Sequence, residues 1–355
     1  MVPAPCRAPR RLQKRALDHA RRAAAGGLGR LPAEGALGAA IRGDDLSWSW
    51  SDALLGAALA VPATIVATGD PAHGAALAVG VVPAAVVGLA PRRKGRLALV
   101  VLGVLTGLPV LLGGILAGVP ILAVAGIAVL ALGAVVLARA RPGLGRIAMV
   151  LSLPMVGVGL SYPEVGKAAG LAALMVAGSV YACAVSMLWP EKVPAARPQA
   201  PPPSFEYGLR LAAAGASAAA FGFIFGLEHV GWATAAALLV MRPAAEMQRL
   251  RSVGRIAAVL FGALAAVALV HLDPGEGWFA LAILATVVCA AGTHASRWYV
   301  TPAFTTFLVF LLLLYSHPDE SRWRFNERLV ETAVGVGLAA LFGLLLPRLT
   351  EARRA

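Results

Sequence analysis

LALVVLGVLTGLPVLLGGILAGVPILAVAGIAVLALGAVVLA, residues 97–138, runs without a charged side chain between Arg92, Arg93, Lys94 and Arg96 on one side and Arg139 and Arg141 on the other. It divides into apolar segments at 97–117 and 119–138. Each is long enough, at about 1.5 Å of rise per residue, to cross a hydrocarbon core of about 30 Å as one helix. Further segments of the same kind lie at 52–68, 73–90, 144–160 and 168–189, and again at 208–226, 230–245, 254–271, 278–294, 299–315 and 329–346. Several hold only about 17 residues, roughly 26 Å of helix, and snorkelling arginines or local thinning of the bilayer close that gap. The reading is an all-α integral membrane protein of about twelve transmembrane helices.

Composition agrees. Of 355 residues, 59% are hydrophobic and only 14% charged, and the mean hydropathy is +0.77. A soluble domain is closer to a quarter charged. The 39 glycines suit helices that pack closely in lipid, where apolar burial no longer drives association. The net charge of +13 comes from short arginine clusters between apolar runs, not from one basic surface, so no nucleic-acid partner is expected. Cys6, Cys183 and Cys289 are far apart and read as neither a disulfide nor a metal site.

The clusters fall on one side of the segment pattern. If the arginine-rich tail 1–49 is cytoplasmic, all but four of the 31 Lys and Arg are cytoplasmic, and only Lys167, Arg322, Arg324 and Arg328 fall outside. That asymmetry is what the positive-inside rule requires. It places both termini on the cytoplasmic side of a multi-pass protein of the cell (inner) membrane. The tail lacks the apolar core of a secretory signal. Its Arg10, Arg11, Lys14, Arg15, Arg21 and Arg22 read either as a helix lying on anionic headgroups or as a disordered tail.

An internal repeat organises the rest. Gly74 through Pro83 is similar to Gly231 through Pro243, and Arg92-Arg-Lys-Gly95-Arg96 is similar to Arg251-Ser-Val-Gly254-Arg255. Both halves close in a bulky apolar residue and proline, Trp189-Pro190 and Leu346-Pro347. With an even number of spans in each half, the six-helix repeats run parallel. The expected organisation is a basic tail at 1–49, a first repeat at 50–190, a Pro-rich cytoplasmic linker at 191–206, a second repeat at 207–347 and a short cytoplasmic tail at 348–355.

The run Val230-Gly-Trp232-Ala-Thr-Ala-Ala-Ala-Leu-Leu-Val-Met-Arg242-Pro243, the Arg251-x-x-Gly254 step and Arg328-Leu-Val-Glu331-Thr332-Ala-Val-Gly335 resemble the fusaric-acid-resistance (FUSC) type of membrane domain. The resemblance covers about 207–347 well and 50–190 weakly. That family includes aromatic acid exporters, and the plant aluminium-activated malate transporters look like distant relatives. The chain departs from the family in having Arg255 where Thr is frequent, and a linker where many members carry a large cytoplasmic domain. The resemblance implies transport of small organic, anionic compounds.

No enzyme signature is present. Ser161-Tyr-Pro-Glu-Val-Gly166-Lys167-Ala168 lacks the first glycine and the final Ser or Thr of a phosphate loop, so neither a nucleotide nor any other cofactor is expected. Pro83 is read as breaking the second span and Arg242-Pro243 as ending a short eighth one, and paired broken helices point to a substrate site in repeat transporters. On that reading Arg242 offers a forked donor to a carboxylate, with Trp232 and Thr234 on the same span. The competing reading makes Arg242 a topology charge and Trp232 an interfacial anchor. Arg328 and Glu331, three residues apart and on one helical face, read either as a proton-coupling pair, with Arg251 as a further gating candidate, or as a local ion pair.

The pairs Glu228 with His229, His271 with Asp273 and His317 with Asp319 read as solvated loop groups or as proton sensors. His294, Arg297 and Tyr299 form a weaker set, and Thr301, Thr305 and Thr306 either line a path or bond their own helix. The expected function is secondary export of small aromatic or carboxylic anions through the lipid bilayer. The alternatives are a passive anion channel or a non-transporting membrane scaffold, and a homo-oligomer is compatible with either.

Overall fold

The computed structural model describes residues 47–191, 201–272, 275–294, 296, 300–315 and 320–352, and contains no strand among them. The helices are α1 (Trp50–Ala67), α2 (Pro71–Val87), α3 (Ala98–Ala117), α4 (Pro120–Ala140), α5 (Pro142–Gly159) and α6 (Val165–Ser186). They continue as α7 (Phe205–Ile224), α8 (Val230–Val240), α9 (Ala245–Leu272), α10 (Glu276–Gly292), α11 (Thr301–Tyr315) and α12 (Ser321–Leu349). Each coincides with one of the apolar segments read from the sequence. Eight are long and apolar enough to cross a membrane, and α2, α8, α10 and α11 are shorter. The amphipathic tail helix, most of the linker, Asp273, Arg297, Tyr299, His317 and Asp319 lie outside the described residues.

The surface explains the solvent this fold needs. Ile65, Val101, Leu108, Ile121, Val129, Phe261 and Leu281 all point outward and are exposed. A helix bundle in water would put charge at such positions, whereas hydrocarbon matches them. Inside, the packing is built from small residues. Gly80 of α2 meets Gly178 of α6, and a Cβ on Gly231 of α8 would overlap the Gly157 carbonyl of α5. Gly231→Ala is therefore expected to destabilise the protein by about 1–3 kcal/mol or more through overpacking. Thermal unfolding of the purified protein in detergent measures this, and an unchanged midpoint would mean that α5 and α8 separate freely.

Helix pairing follows a regular scheme. α1 packs on α10 and α7 on α4; α2 packs on α11 and α8 on α5; α2 packs on α6 and α8 on α12; α3 packs on α5 and α9 on α11. Each pairing recurs six helices along the chain, counted cyclically. Two apolar cores result. One gathers residues of α1, α2, α10 and α11 with parts of α3, α6 and α9. The other gathers residues of α4, α5, α7 and α8 with ends of α3 and α12.

One sequence expectation is corrected. Pro83 does not break α2, which continues to Val87 and turns at Gly88, whose φ of 74° favours glycine. Pro62 and Pro109 likewise lie inside α1 and α3. In lipid, losing one amide donor costs less than unwinding a turn and exposing several backbone groups to hydrocarbon. Arg242-Pro243 behaves differently. α8 ends at Val240, and Met241, at φ −54° and ψ 127°, has already left the helix.

Candidate functional site

The site begins with the spacing of three residues on α12. Arg328, Glu331 and Thr332 stand at i, i+3 and i+4, so they share one face. Gly335, one turn further on, brings that face against Ala233, Ala236 and Ala237 of α8. The Arg328 guanidinium carbon lies 3.9 Å from the ring centroid of Trp232, which is buried. The His229 ring stacks on the same indole at 4.1 Å and 17°. Phe310 of α11 closes another side at 6.3 Å.

Above this layer, at the end where α8 and α12 begin, sits a charged rim. His229 Nδ1 is 3.3 Å from Glu327 Oε2, and both side chains are buried. Arg324 bridges Glu228 at 3.5 Å and Glu320 at 2.6 Å. The expectation of a solvated Glu228–His229 pair is thereby corrected: His229 turns inward, where Trp232 offers it a stacking surface and Glu327 a buried partner. Glu228, His229 and Glu327 bring three ligand atoms within 4.8 Å of one another, but the Arg324 cation beside Glu228 disfavours a metal ion there.

Below the indole the polar groups change character. Glu331 is fully buried, and neither of its carboxylate oxygens makes a hydrogen bond among the described residues. The same holds for Arg328 Nε and Nη1, Arg255 Nε and Thr332 Oγ1. Arg328 and Glu331 make no hydrogen bond to each other among the described residues, but each lies close enough to act on the other's charge. Arg255 of α9 and Tyr162, from the α5–α6 connection, lie close enough to Arg328 to act on its charge. Unpaired ionisable groups in a low-dielectric interior cost several kcal/mol each. In a membrane protein such groups mark a candidate functional site.

The structure divides the residues singled out from sequence. Trp232 meets Arg328, whereas Thr234, two positions on, lies on another face of α8 toward Gly157 of α5 and bonds the Val230 carbonyl of its own helix at 3.4 Å. Arg242, Pro243 and Arg251 stand at the opposite end of α8, about 15 Å along it from Trp232. Pro83 lies on α2, whose other residues build the other core, and Thr305 bonds the Pro302 carbonyl at 3.0 Å. His294 faces Asp52 at 3.8 Å, also in that other part of the molecule. Sequence reasoning missed Glu327, Arg255 and Tyr162 as neighbours of Arg328. The i, i+3 spacing of His229 and Trp232 was the signal available for the stack.

A bundle of apolar-faced helices, all-helical among the described residues, with buried ionisable groups that lack hydrogen-bond partners, defines a multi-pass membrane protein. Residues 217–342 match the family model described as fusaric acid resistance protein-like, and the FUSC resemblance read from sequence is borne out over that stretch. It spans the second part of α7 through most of α12, and so includes Trp232, Arg255, Arg328 and Glu331. No curated protein and no solved structure matches the chain.

Proposed function

We propose that the protein is a secondary transporter that exports small aromatic or carboxylic anions across the cytoplasmic membrane, coupled to proton entry. The observation that carries this reading is the Arg328 guanidinium on the Trp232 face, beside a fully buried Glu331 whose oxygens are unpaired. The guanidinium presents planar donors to a carboxylate and the indole an apolar face to the rest of the substrate. Glu331 takes and releases the coupled proton. His229, stacked on Trp232 and paired with Glu327, covers the site from the external side.

In this reading all twelve helices cross the membrane, both termini and the linker are cytoplasmic, and the halves are parallel six-helix repeats. The recurrence of the four pairings given above six helices along supports the repeat. So does Gly178 packing on Gly80, as Gly335 packs on Ala233 and Ala237. Aligning those glycines puts Leu171 and Leu174 opposite Arg328 and Glu331. Leu174 instead lines an apolar cavity of about 230 Å³ with Leu59, Leu77 and Val81. Arg96, opposite Arg255, is consumed in capping the end of α6, donating to the carbonyls of Ser186, Trp189 and Pro190. The first repeat therefore lacks a counterpart of the Arg328–Glu331 pair, and the transport site is expected in the second repeat alone.

Reconstitution into liposomes with a panel of aromatic and dicarboxylic acids, with and without an imposed pH gradient, tests the function. Gradient-stimulated flux is expected; flux that ignores the gradient indicates a passive channel, and no flux of any acid overturns transport. Topology has its own test. A cysteine placed at residue 197 is expected to react with an impermeant reagent only after the cells are opened, and labelling of intact cells would reverse the orientation.

A further inference from the structure

We propose that the cytoplasmic ends of α7, α8 and α9 form a second oxyanion site, built by Arg210, Arg242 and Arg251 around the Tyr207 phenol, which receives the substrate carboxylate ahead of the Arg328 site. The substrate role rests on the transport reading above. The site itself rests on its own geometry.

Three segments converge there. Tyr207 and Arg210 lie three residues apart on one face of α7. Arg242 follows the last turn of α8, and Arg251 stands on the second turn of α9. The phenol is buried, and its hydroxyl donates to the Met241 carbonyl at 3.2 Å. Arg242 Nη1 donates to the same carbonyl, which places the Arg242 guanidinium beside the phenol. The charges of Arg210 and Arg251 bear on that phenol as well. The loop is held by Gln248, whose Oε1 accepts from the Arg242 amide at 3.5 Å and whose Nε2 donates to the Ala339 carbonyl at 2.6 Å.

Two simpler roles leave part of this unexplained. A topology charge needs only to stay on the cytoplasmic side, and solvated loop arginines do that without converging. Capping the end of α8 needs one donor to the Met241 carbonyl, and Tyr207 with Arg242 Nη1 already supplies two. Arg242 Nη2 and Arg210 Nε remain, both buried and without a hydrogen-bond partner among the described residues. The acid next to Arg210, Glu206, is 3.9 Å away with its side chain largely exposed, so it leaves the cluster strongly positive. Guanidinium forks around a phenol hydroxyl match the two oxygens of a carboxylate, or the oxygens of a phosphate. Such an oxyanion comes either from a soluble acid or from a phospholipid headgroup.

The experiment uses the full chain in nanodiscs of phosphatidylcholine, at constant ionic strength, with benzoate and inorganic phosphate as probes and thermal unfolding as readout. The background variant Arg328→Gln removes the other guanidinium site, so the two readings fail separately. In that background benzoate is expected to raise the unfolding midpoint by several degrees. Adding Arg242→Lys, or independently Tyr207→Phe, is expected to abolish the rise. In the otherwise native chain, Arg242→Lys is expected to raise the KM for acid presented at the cytoplasmic face by about tenfold, while kcat is retained. Equal benzoate protection in the Arg328→Gln protein with and without these changes overturns the site. Protection by phosphatidylglycerol in the disc, but by neither soluble probe, assigns the arginines to lipid and overturns the substrate role.

Discussion

Arg328→Lys is expected to slow transport of an aromatic carboxylate by about 10- to 100-fold while the protein still inserts and folds. The substitution keeps the positive charge, so topology is unaffected, but it removes the planar group that lies 3.9 Å from the Trp232 ring centroid. A desolvated cation–π contact contributes about 2 kcal/mol. A hydrogen bond to a charged group contributes about 1.5–3 kcal/mol, and an ammonium recovers only part of each. The net loss of about 1.4–2.8 kcal/mol corresponds to the stated range. Trp232→Phe, which retains a weaker aromatic face, is expected to fall between the two proteins. Initial export rates from proteoliposomes decide the matter, with the unfolding midpoint of each variant as the control for folding. Full activity in Arg328→Lys would move the substrate site away from this face of α12.

Glu331→Gln is expected to abolish the effect of a proton gradient while leaving substrate affinity within about threefold of the native value. The amide keeps the size of the side chain and cannot carry the proton. Because Glu331 is fully buried with both oxygens unpaired, holding it ionised is expensive, and a neutral side chain there is not expected to impair folding. In the native protein export should accelerate when the outside is more acidic than the inside. In the variant the two rates should coincide. Persistence of the gradient effect would remove Glu331 from coupling, and attention would pass to His229 and Glu327, which share a buried 3.3 Å contact directly above Trp232.

What made part of this legible in the chain is the locality of the forces involved. A backbone in hydrocarbon must satisfy its own hydrogen bonds, so an apolar run of sufficient length becomes a helix wherever it occurs. The positions of α1 to α12 follow from the runs themselves. The uncharged stretch 97–138, for instance, became α3 and α4, joined at Gly118 and Val119. The FUSC-type motifs were legible for a related reason: Trp232, Arg328 and Glu331 interrupt otherwise apolar helices and stand out against them.

The partners of those residues were not legible. Arg242 and Trp232 already read as opposite ends of one short span, but nothing in that span tells that the guanidinium meeting the indole comes from α12, 96 positions away. His229 reads as a loop residue next to Glu228, but the approach of α12 to α8 gives it Glu327 instead. Proline at 83 signals a break by its own chemistry, and the surrounding lipid and helices overrule it. The sequence by itself determined a helical membrane protein whose ionisable exceptions lie in the second half, because length and hydropathy act segment by segment. Only the tertiary structure decided that α1 packs on α10 and α4 on α7, and that Arg328 lies on the Trp232 ring with Glu331 and Arg255 near enough to act on its charge. In lipid, helices choose partners by the fit of small residues such as Gly231 on Gly157, a matter of shape between distant segments that no single segment records.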